Sequence, residues 1–202
     1  MRDKHAGAPH IVSQASPAVV IDAGDGKHGH PTQALLDLYS IWERKGSFDG
    51  LKVGVVGDIG HSRVCGSLIP ALKIMGAEVT AVGPNTLMPP RPDILGADHV
   101  SNSLDDVLPD LDVVYMLRIQ RERLEGAPFP SEREYHRLYG LTKAREGLMR
   151  PDASCATPAR STVASSSTPT CPTIRSARHP RPGVRRYLRA HGCPVSAAWR
   201  CR

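Results

Sequence analysis

From Leu51 to Leu117 the chain repeats one pattern, an apolar run, a Gly/Asp/Ser turn and an amphipathic stretch, and few folds accommodate it. Val53, Val55 and Val56 form an apolar run that stops at Gly57-Asp58. Val64, Leu68, Leu72 and Met75 then recur at helical spacing as far as Gly76, and Glu78 to Val82 is the next apolar run. A short helix is expected near Ser103, with Leu104, Val107 and Leu108 facing inward, followed by a buried strand over 112–117. Strands and helices alternating at these lengths imply parallel strands with right-handed crossovers. The expected fold class is α/β: a doubly wound parallel sheet of Rossmann-like form.

Upstream, Ala18-Val19-Val20-Ile21 reads as a short buried strand ending in the turn-rich Asp22 to Gly26. A helix is expected from Pro31, since proline's fixed φ and missing N–H cost nothing in a first turn. Leu35, Leu38, Tyr39 and Trp42 would be its buried stripe, and Lys45-Gly46 its end. In doubly wound sheets ligands sit beyond the carboxyl ends of the strands. The loops expected on that edge carry His28-Gly29-His30, Asp58 to Arg63, and Arg118-Ile119-Gln120-Arg121. They hold His, Arg and amide groups with little acid, which suits a small polyanion.

His30-Pro31-Thr32-Gln33 lies at a helix N-terminus, where unpaired N–H groups favour an anion and His30 could donate to a polarised carbonyl. An ordinary N-cap with polar neighbours explains the same residues. Gly57 to Arg63 joins strand to helix but lacks the G-x-G-x-x-G spacing of a dinucleotide loop, so no cofactor is expected. Arg63, expected in the first turn of the following helix, suits a carboxylate through its planar fork, or a surface ion pair. Arg118 and Gln120 point to one side if the chain stays extended, and two arginines from separate loops could grip a dicarboxylic acid. The run Arg121-Glu122-Arg123-Leu124-Glu125 reads equally as solvent-exposed.

Charge divides the chain in two. Residues 1–150 carry 17 Lys+Arg against 19 Asp+Glu, whereas 151–202 carry 9 Arg, no Lys and one acid, Asp152. The tail, residues 154–202, is rich in Pro, Ser, Thr and Arg and is expected to be disordered. Cys155, Cys171, Cys193 and Cys201 lie in it and Cys65 in the body, with no CxxC pair, so stray thiols are expected and no metal site. No apolar run approaches the roughly 18 residues of a membrane span. No apolar segment follows Met1 to His5, and a cytoplasmic location is expected.

Four stretches in order resemble the aspartate carbamoyltransferase family. Gly24-Asp25-Gly26 to His30-Pro31-Thr32-Gln33-Ala34-Leu35-Leu36-Asp37 is similar to its central signature, and Gly57-Asp58-Ile59-Gly60-His61-Ser62-Arg63-Val64 to its GDxxHSRV loop. Met116 to Arg123 and Pro130 to Thr142 match two more. Thr32 favours the aspartate enzyme over its ornithine relative, whose corresponding motif normally has Cys there. The resemblance implies carbamoyl phosphate and L-aspartate as substrates, with His30 and Gln33 at carbamoyl phosphate, His30 on the carbonyl oxygen. Arg63, Arg118 and Gln120 would bind aspartate. Arg2 matches a further carbamoyl-phosphate arginine, with Asp3 in place of the usual His beside it. The family works as homotrimers and needs no cofactor.

The resemblance makes residues 1–20 a remnant of the carbamoyl-phosphate domain and 21–153 the aspartate-binding domain. The family's S-T-R-T-R phosphate loop has no counterpart, so the chain alone is expected to be inactive. Read in a shifted frame, the codons of Thr157 to Ser166 can spell H-P-G-P-L-N-R-G-V-E, similar to the family's next signature, so a frame change accounts for the tail. A non-enzymatic module that binds polyanions through the Arg-rich tail is the alternative from another class, and an ornithine carbamoyltransferase relative is a third reading. Only Tyr187 and Trp199 interleave with the tail arginines, so nucleic acid is not the expected partner.

Overall fold

The computed structural model describes residues 1, 3, 5–117, 132–158 and 173–175. Among them are six strands, β1 (Lys52–Val56), β2 (Glu78–Val82), β3 (His99–Ser101), β4 (Val113–Met116), β5 (Ser154–Thr157) and β6 (Thr173–Arg175). They form one sheet in the order β3-β2-β1-β4-β5-β6, every neighbouring pair parallel. The helices are α1 (Ala8–Ala15), α2 (Pro31–Lys45), α3 (Cys65–Ile74), α4 (Leu104–Val107), α5 (Glu132–Tyr139) and α6 (Lys143–Glu146). The doubly wound parallel sheet is as the alternation of elements predicts.

The strands read as continuous apolar runs because both faces of the sheet are covered. Successive side chains alternate, so Val53, Val55, Val113 and Tyr115 pack beneath α2 and α3, with Ile41 and Leu68 among their partners. Val56, Val82, Val114 and Met116 face the other way, against Leu104, Leu108 and Tyr139. Leu68, Ile69 and Leu72 on α3 are fully buried, each burial favouring the fold by about 1.5–3 kcal/mol.

Four expectations need correction. Ala18 to Ile21 forms no strand: Val19 is 92% exposed, and the chain there runs beside Met1 and Asp3 through the Met1 N–H to Ile21 carbonyl and Asp3 N–H to Gly24 carbonyl bonds. An apolar run becomes a buried strand only where neighbours cover both its faces. On α2 the buried residues are Ala34, Asp37, Leu38, Ser40 and Ile41; all but Ser40 lie one residue earlier than the expected stripe, and Leu35, Tyr39 and Trp42 are exposed. The helix is rotated because a charged residue, Asp37, lies on its inner face. Met75, expected in the stripe of α3, is exposed at the helix end.

The tail boundary is the fourth. Ser154 to Thr157, assigned to a disordered tail, is a strand whose Ser154, Cys155 and Ala156 pair with Val113, Val114 and Tyr115. Cys155 is buried rather than a stray thiol, because Ala153 to Ala156 are small enough to pack between sheet neighbours on both sides. Thr173 to Arg175 extends the sheet further as β6. Residues 159–172 and 176–202 of the tail lie outside the described residues.

Candidate functional site

The winding reverses between β1 and β4, with β2 and β3 on one side and β5 and β6 on the other. In doubly wound sheets the carboxyl ends of the two strands at such a reversal border the place where ligands bind. Two described elements come together there: the first turn of α2 and the connection from β1 to α3.

His30 is the N-cap of α2. Its backbone N–H donates to Ser67 Oγ on α3 at 2.9 Å. Gly66 permits this approach, because a Cβ there would lie 2.5 Å from the His28 carbonyl oxygen. The His30 Nδ1 lies 3.3 Å from the Gln33 backbone N–H and 3.2 Å from Thr32 Oγ1. A backbone N–H can only donate, so Nδ1 accepts and a neutral ring carries its proton on Nε2. The cap thus turns His30 into an N–H donor on its far side, the polarity a carbonyl oxygen requires.

One turn further on, Gln33 Nε2 donates to Asp37 Oδ1 at 3.0 Å, and Tyr115 on β4 donates its hydroxyl to Asp37 Oδ2 at 2.5 Å. Asp37 and Tyr115 are both buried. Burial, reinforced by the Asp37 charge, raises the Tyr115 hydroxyl well above its ordinary pKa, so it remains a donor.

After β1, Gly57 holds φ +126°, a conformation glycine tolerates, and a Cβ there would lie 3.1 Å from both Leu117 Cβ and Tyr135 Oη. Asp58 follows, fully buried. Its Oδ1 accepts from His61 Nδ1 at 2.7 Å and from the His61 backbone N–H at 3.2 Å. Its Oδ2 is buried with no hydrogen-bond partner among the described residues. Arg63, half-buried, precedes α3 instead of lying in its first turn, because the helix starts at Cys65. The Cys65 thiol is pushed up to about 12 by burial, which the Ser62 hydrogen bond only partly offsets, so it is a packing residue and no nucleophile.

His30 and Gln33 therefore share one turn, which Ser67 ties to the same end of α3 that Arg63 leads into. Arg118, Gln120 and Arg2 lie outside the described residues. The reading from sequence missed Ser67, Asp37 and Tyr115. Asp37 carried a signal, a charged residue four after Gln33 on a helix, which is the spacing of a side-chain pair. Tyr115, buried in a strand 78 residues away, carried none. No group of three or more His, Cys, Asp or Glu among the described residues is arranged to hold a metal ion. No helix among them is long and apolar enough to cross a membrane.

Comparison with known proteins gives concordant results. The family described as "Aspartate/ornithine carbamoyltransferase, Asp/Orn binding domain" matches residues 49–154, just over half of the chain. Aspartate carbamoyltransferase catalytic subunits from Myxococcus xanthus and Desulforamulus reducens are 50% and 53% identical over 153 residues, which is 76% of this chain and 51% and 49% of theirs. The chain spans about half the length of the curated relatives it matches. Among solved structures, the Trypanosoma cruzi aspartate transcarbamoylase in complex with carbamoyl phosphate aligns with TM-score 0.68 at 26% identity, over 78% of this chain and 53% of that one. The ligand-free form of that enzyme aligns with TM-score 0.67 at 27% identity over the same shares.

Proposed function

The chain belongs to the aspartate/ornithine carbamoyltransferase family, and from that premise we propose that it is the aspartate-binding part of an aspartate carbamoyltransferase. The reaction is transfer of the carbamoyl group of carbamoyl phosphate to L-aspartate, giving N-carbamoyl-L-aspartate and phosphate, a step of pyrimidine biosynthesis. The observation that carries the reading is the bond from the His30 N–H to Ser67 Oγ, which fastens the turn bearing His30 and Gln33 to the helix that Arg63 introduces. Donors for a carbamoyl group and a guanidinium for a carboxylate then belong to one end of one helix.

In this mechanism the neutral α-amino group of aspartate attacks the carbonyl carbon, forming the C–N bond and a tetrahedral oxyanion. Collapse breaks the C–O bond to phosphate, and the surplus amine proton leaves with the phosphate. His30 Nε2–H is of the polarity to stabilise the oxyanion, Gln33 holds the carbamoyl nitrogen, and Arg63 receives a carboxylate of aspartate. Preorganised donors and positioning are sufficient catalytic devices for such a transfer. Arg118 and Gln120 are assigned to aspartate, and Arg2 to carbamoyl phosphate, on the strength of their motifs. The homotrimer and the cytoplasmic setting belong to the same proposal.

Because the chain spans half of its relatives, the test supplies the other half. Mixed with the N-terminal half of the Myxococcus xanthus relative, the chain should form N-carbamoyl-L-aspartate and leave ornithine untouched. Arg63→Ala should lower aspartate use at least tenfold, the loss typical of one charge-assisted bidentate contact. Preference for ornithine, or an Arg63→Ala mixture as active as the unsubstituted one, would overturn the assignment.

A further inference from the structure

The geometry points to Asp37, backed by Tyr115, as the positioning residue that sets the polarity of the Gln33 carboxamide, so that its carbonyl oxygen, and not its amino group, faces the substrate. The inference rests on the site proposed above and specifies what it recognises. A glutamine amide is nearly symmetric in shape, and nothing in its own structure decides which end points outward. Here the decision comes from behind it. Tyr115 donates to Asp37 Oδ2 at 2.5 Å, and Asp37 Oδ1 accepts from Gln33 Nε2 at 3.0 Å. A carboxylate can only accept, so the end of Gln33 that meets Asp37 must be the amino end.

Asp37 is well placed for this duty because it is buried and held from two sides. It sits on the inner face of α2, 3% exposed, one turn beyond Gln33, and Tyr115 is anchored in the middle of a sheet strand. Burial and the adjacent charge keep the tyrosine protonated, so the chain of donors runs in one direction, from Tyr115 and from Gln33 into Asp37. The consequence at the cleft is a pair of opposite groups on one helical turn. His30 accepts at Nδ1 within the N-cap and so carries its N–H on Nε2; Gln33 turns its amino end to Asp37 and its Oε1 end away from it. A donor beside an acceptor matches the C=O and NH2 of a carbamoyl group and mismatches a carboxylate or acyl ester of the same shape. Discrimination by such a pair is steep, since the wrong ligand leaves a polar group unpaired.

The test has two arms, the first on the full 202-residue chain alone and the second on that chain mixed with the N-terminal half of the Myxococcus xanthus relative. In the ligand-free, nitrogen-15-labelled protein, the side-chain N–H2 of Gln33 should exchange with solvent at least about tenfold more slowly than that of exposed Gln14, the effect of a bond to a charged acceptor. In Asp37→Asn, Tyr115 still donates to the oxygen of the introduced amide, the amino group of that amide turns to Gln33, and the Gln33 carboxamide inverts. The Gln33 N–H2 exchange should then return to that of Gln14. Equal exchange rates for Gln33 and Gln14 in the unsubstituted chain would overturn the proposal, whether or not any ligand binds.

The second arm titrates phosphonoacetamide and phosphonoacetate, which differ in carrying an amide or a carboxylate at the same place. The chain should prefer the amide, and Asp37→Asn should move the affinity ratio at least tenfold toward the carboxylate. Loss of the Asp37 charge could also favour the more anionic ligand, so the shift is remeasured in a Gln33→Ala background, where it should vanish. An undiminished shift there would show that Asp37 acts through its charge and overturn the positioning role. If neither compound binds while the Gln33 amide is protected as expected, the carbamoyl-binding reading fails and the orientation of Gln33 stands.

Discussion

The first turn of α2 and the loop from β1 to α3 each depend on a buried aspartate, and they use it differently. Asp37 has both oxygens occupied, by Gln33 and by Tyr115. Asp58 has Oδ1 on His61 and Oδ2 without a hydrogen-bond partner among the described residues. A carboxylate accepts through two oxygens, so the α2 turn is electrostatically complete while the loop retains acceptor capacity. A satisfied buried network fixes geometry, and a partly satisfied one carries a penalty that a further donor can relieve. The two regions thus differ in preorganisation: the α2 turn is completed by the Gln33 and Tyr115 bonds to Asp37, and the loop that leads to Arg63 is not complete.

The largest effect is expected where the network is complete. Asp37→Ala removes the acceptor for two donors and leaves the Tyr115 hydroxyl buried with that bond unmade, a loss of about 3 kcal/mol in folding stability. Urea denaturation of the variant, with unchanged m-value, measures it. A loss under about 1 kcal/mol would mean that the α2 network is ornamental and would dissolve the contrast with Asp58.

Asp58→Asn should cost much less, about 1 kcal/mol or below. The amide keeps an oxygen for His61 Nδ1–H and removes a charge from a fully buried position, so the weaker hydrogen bond is offset by relief of desolvation. The same denaturation experiment reads it. A cost matching that of Asp37→Ala would show that Oδ2 is as fully used as either oxygen of Asp37, and the distinction between the two regions would be lost.

The same contrast explains what could be read from the sequence. β1, β2 and β4 were legible because a run such as Val53 to Val56 is apolar on both faces, and only a covered sheet needs that. The ends of α2 were legible too, from Pro31 and from Gly46 with its φ of +75°. The inner face of that helix was not, since periodicity assigns apolar residues inward and Asp37 is admitted there by a tyrosine distant in the chain. The place of His30 and Gln33 at a helix N-terminus was legible from Pro31, and their proposed roles rest on the resemblance; the planar fork of Arg63 suits a carboxylate by itself, and the resemblance specifies aspartate. β5 was missed because Ser154 to Thr157 has neither an apolar run nor an alternation, and it becomes a strand only through its pairing with β4. In each case the information lies in a partner element and not in the segment itself.

A third aspartate, partly exposed at the junction of α3 and β2, calibrates the two buried ones. Asp98 accepts from Lys73 Nζ at 2.7 Å and from the Val79 backbone N–H at 2.8 Å, joining the end of α3 to β2 just ahead of β3. Its partial burial alone would raise the carboxyl, but the hydrogen bonds from Lys73 and Val79, with the Lys73 and His99 charges, outweigh that and hold it below the usual range. A folded-state pKa below the unfolded one contributes stability that is present above the unfolded value, about 3.9, and is lost as pH falls through the folded value. Solvent screening limits the amount to about 0.5 kcal/mol, the smallest effect expected here. Unfolding midpoints measured from pH 6 downward should therefore decline for the unsubstituted chain below about pH 4, with a shallower slope in Asp98→Asn. Added salt should narrow the difference between the two, because Lys73 and Asp98 are both open to solvent. If Asp98→Asn instead costs as much at neutral pH as Asp37→Ala, burial is not what separates the strong carboxylates of this fold from the weak ones, and the ranking of Asp37 above Asp58 would need another cause.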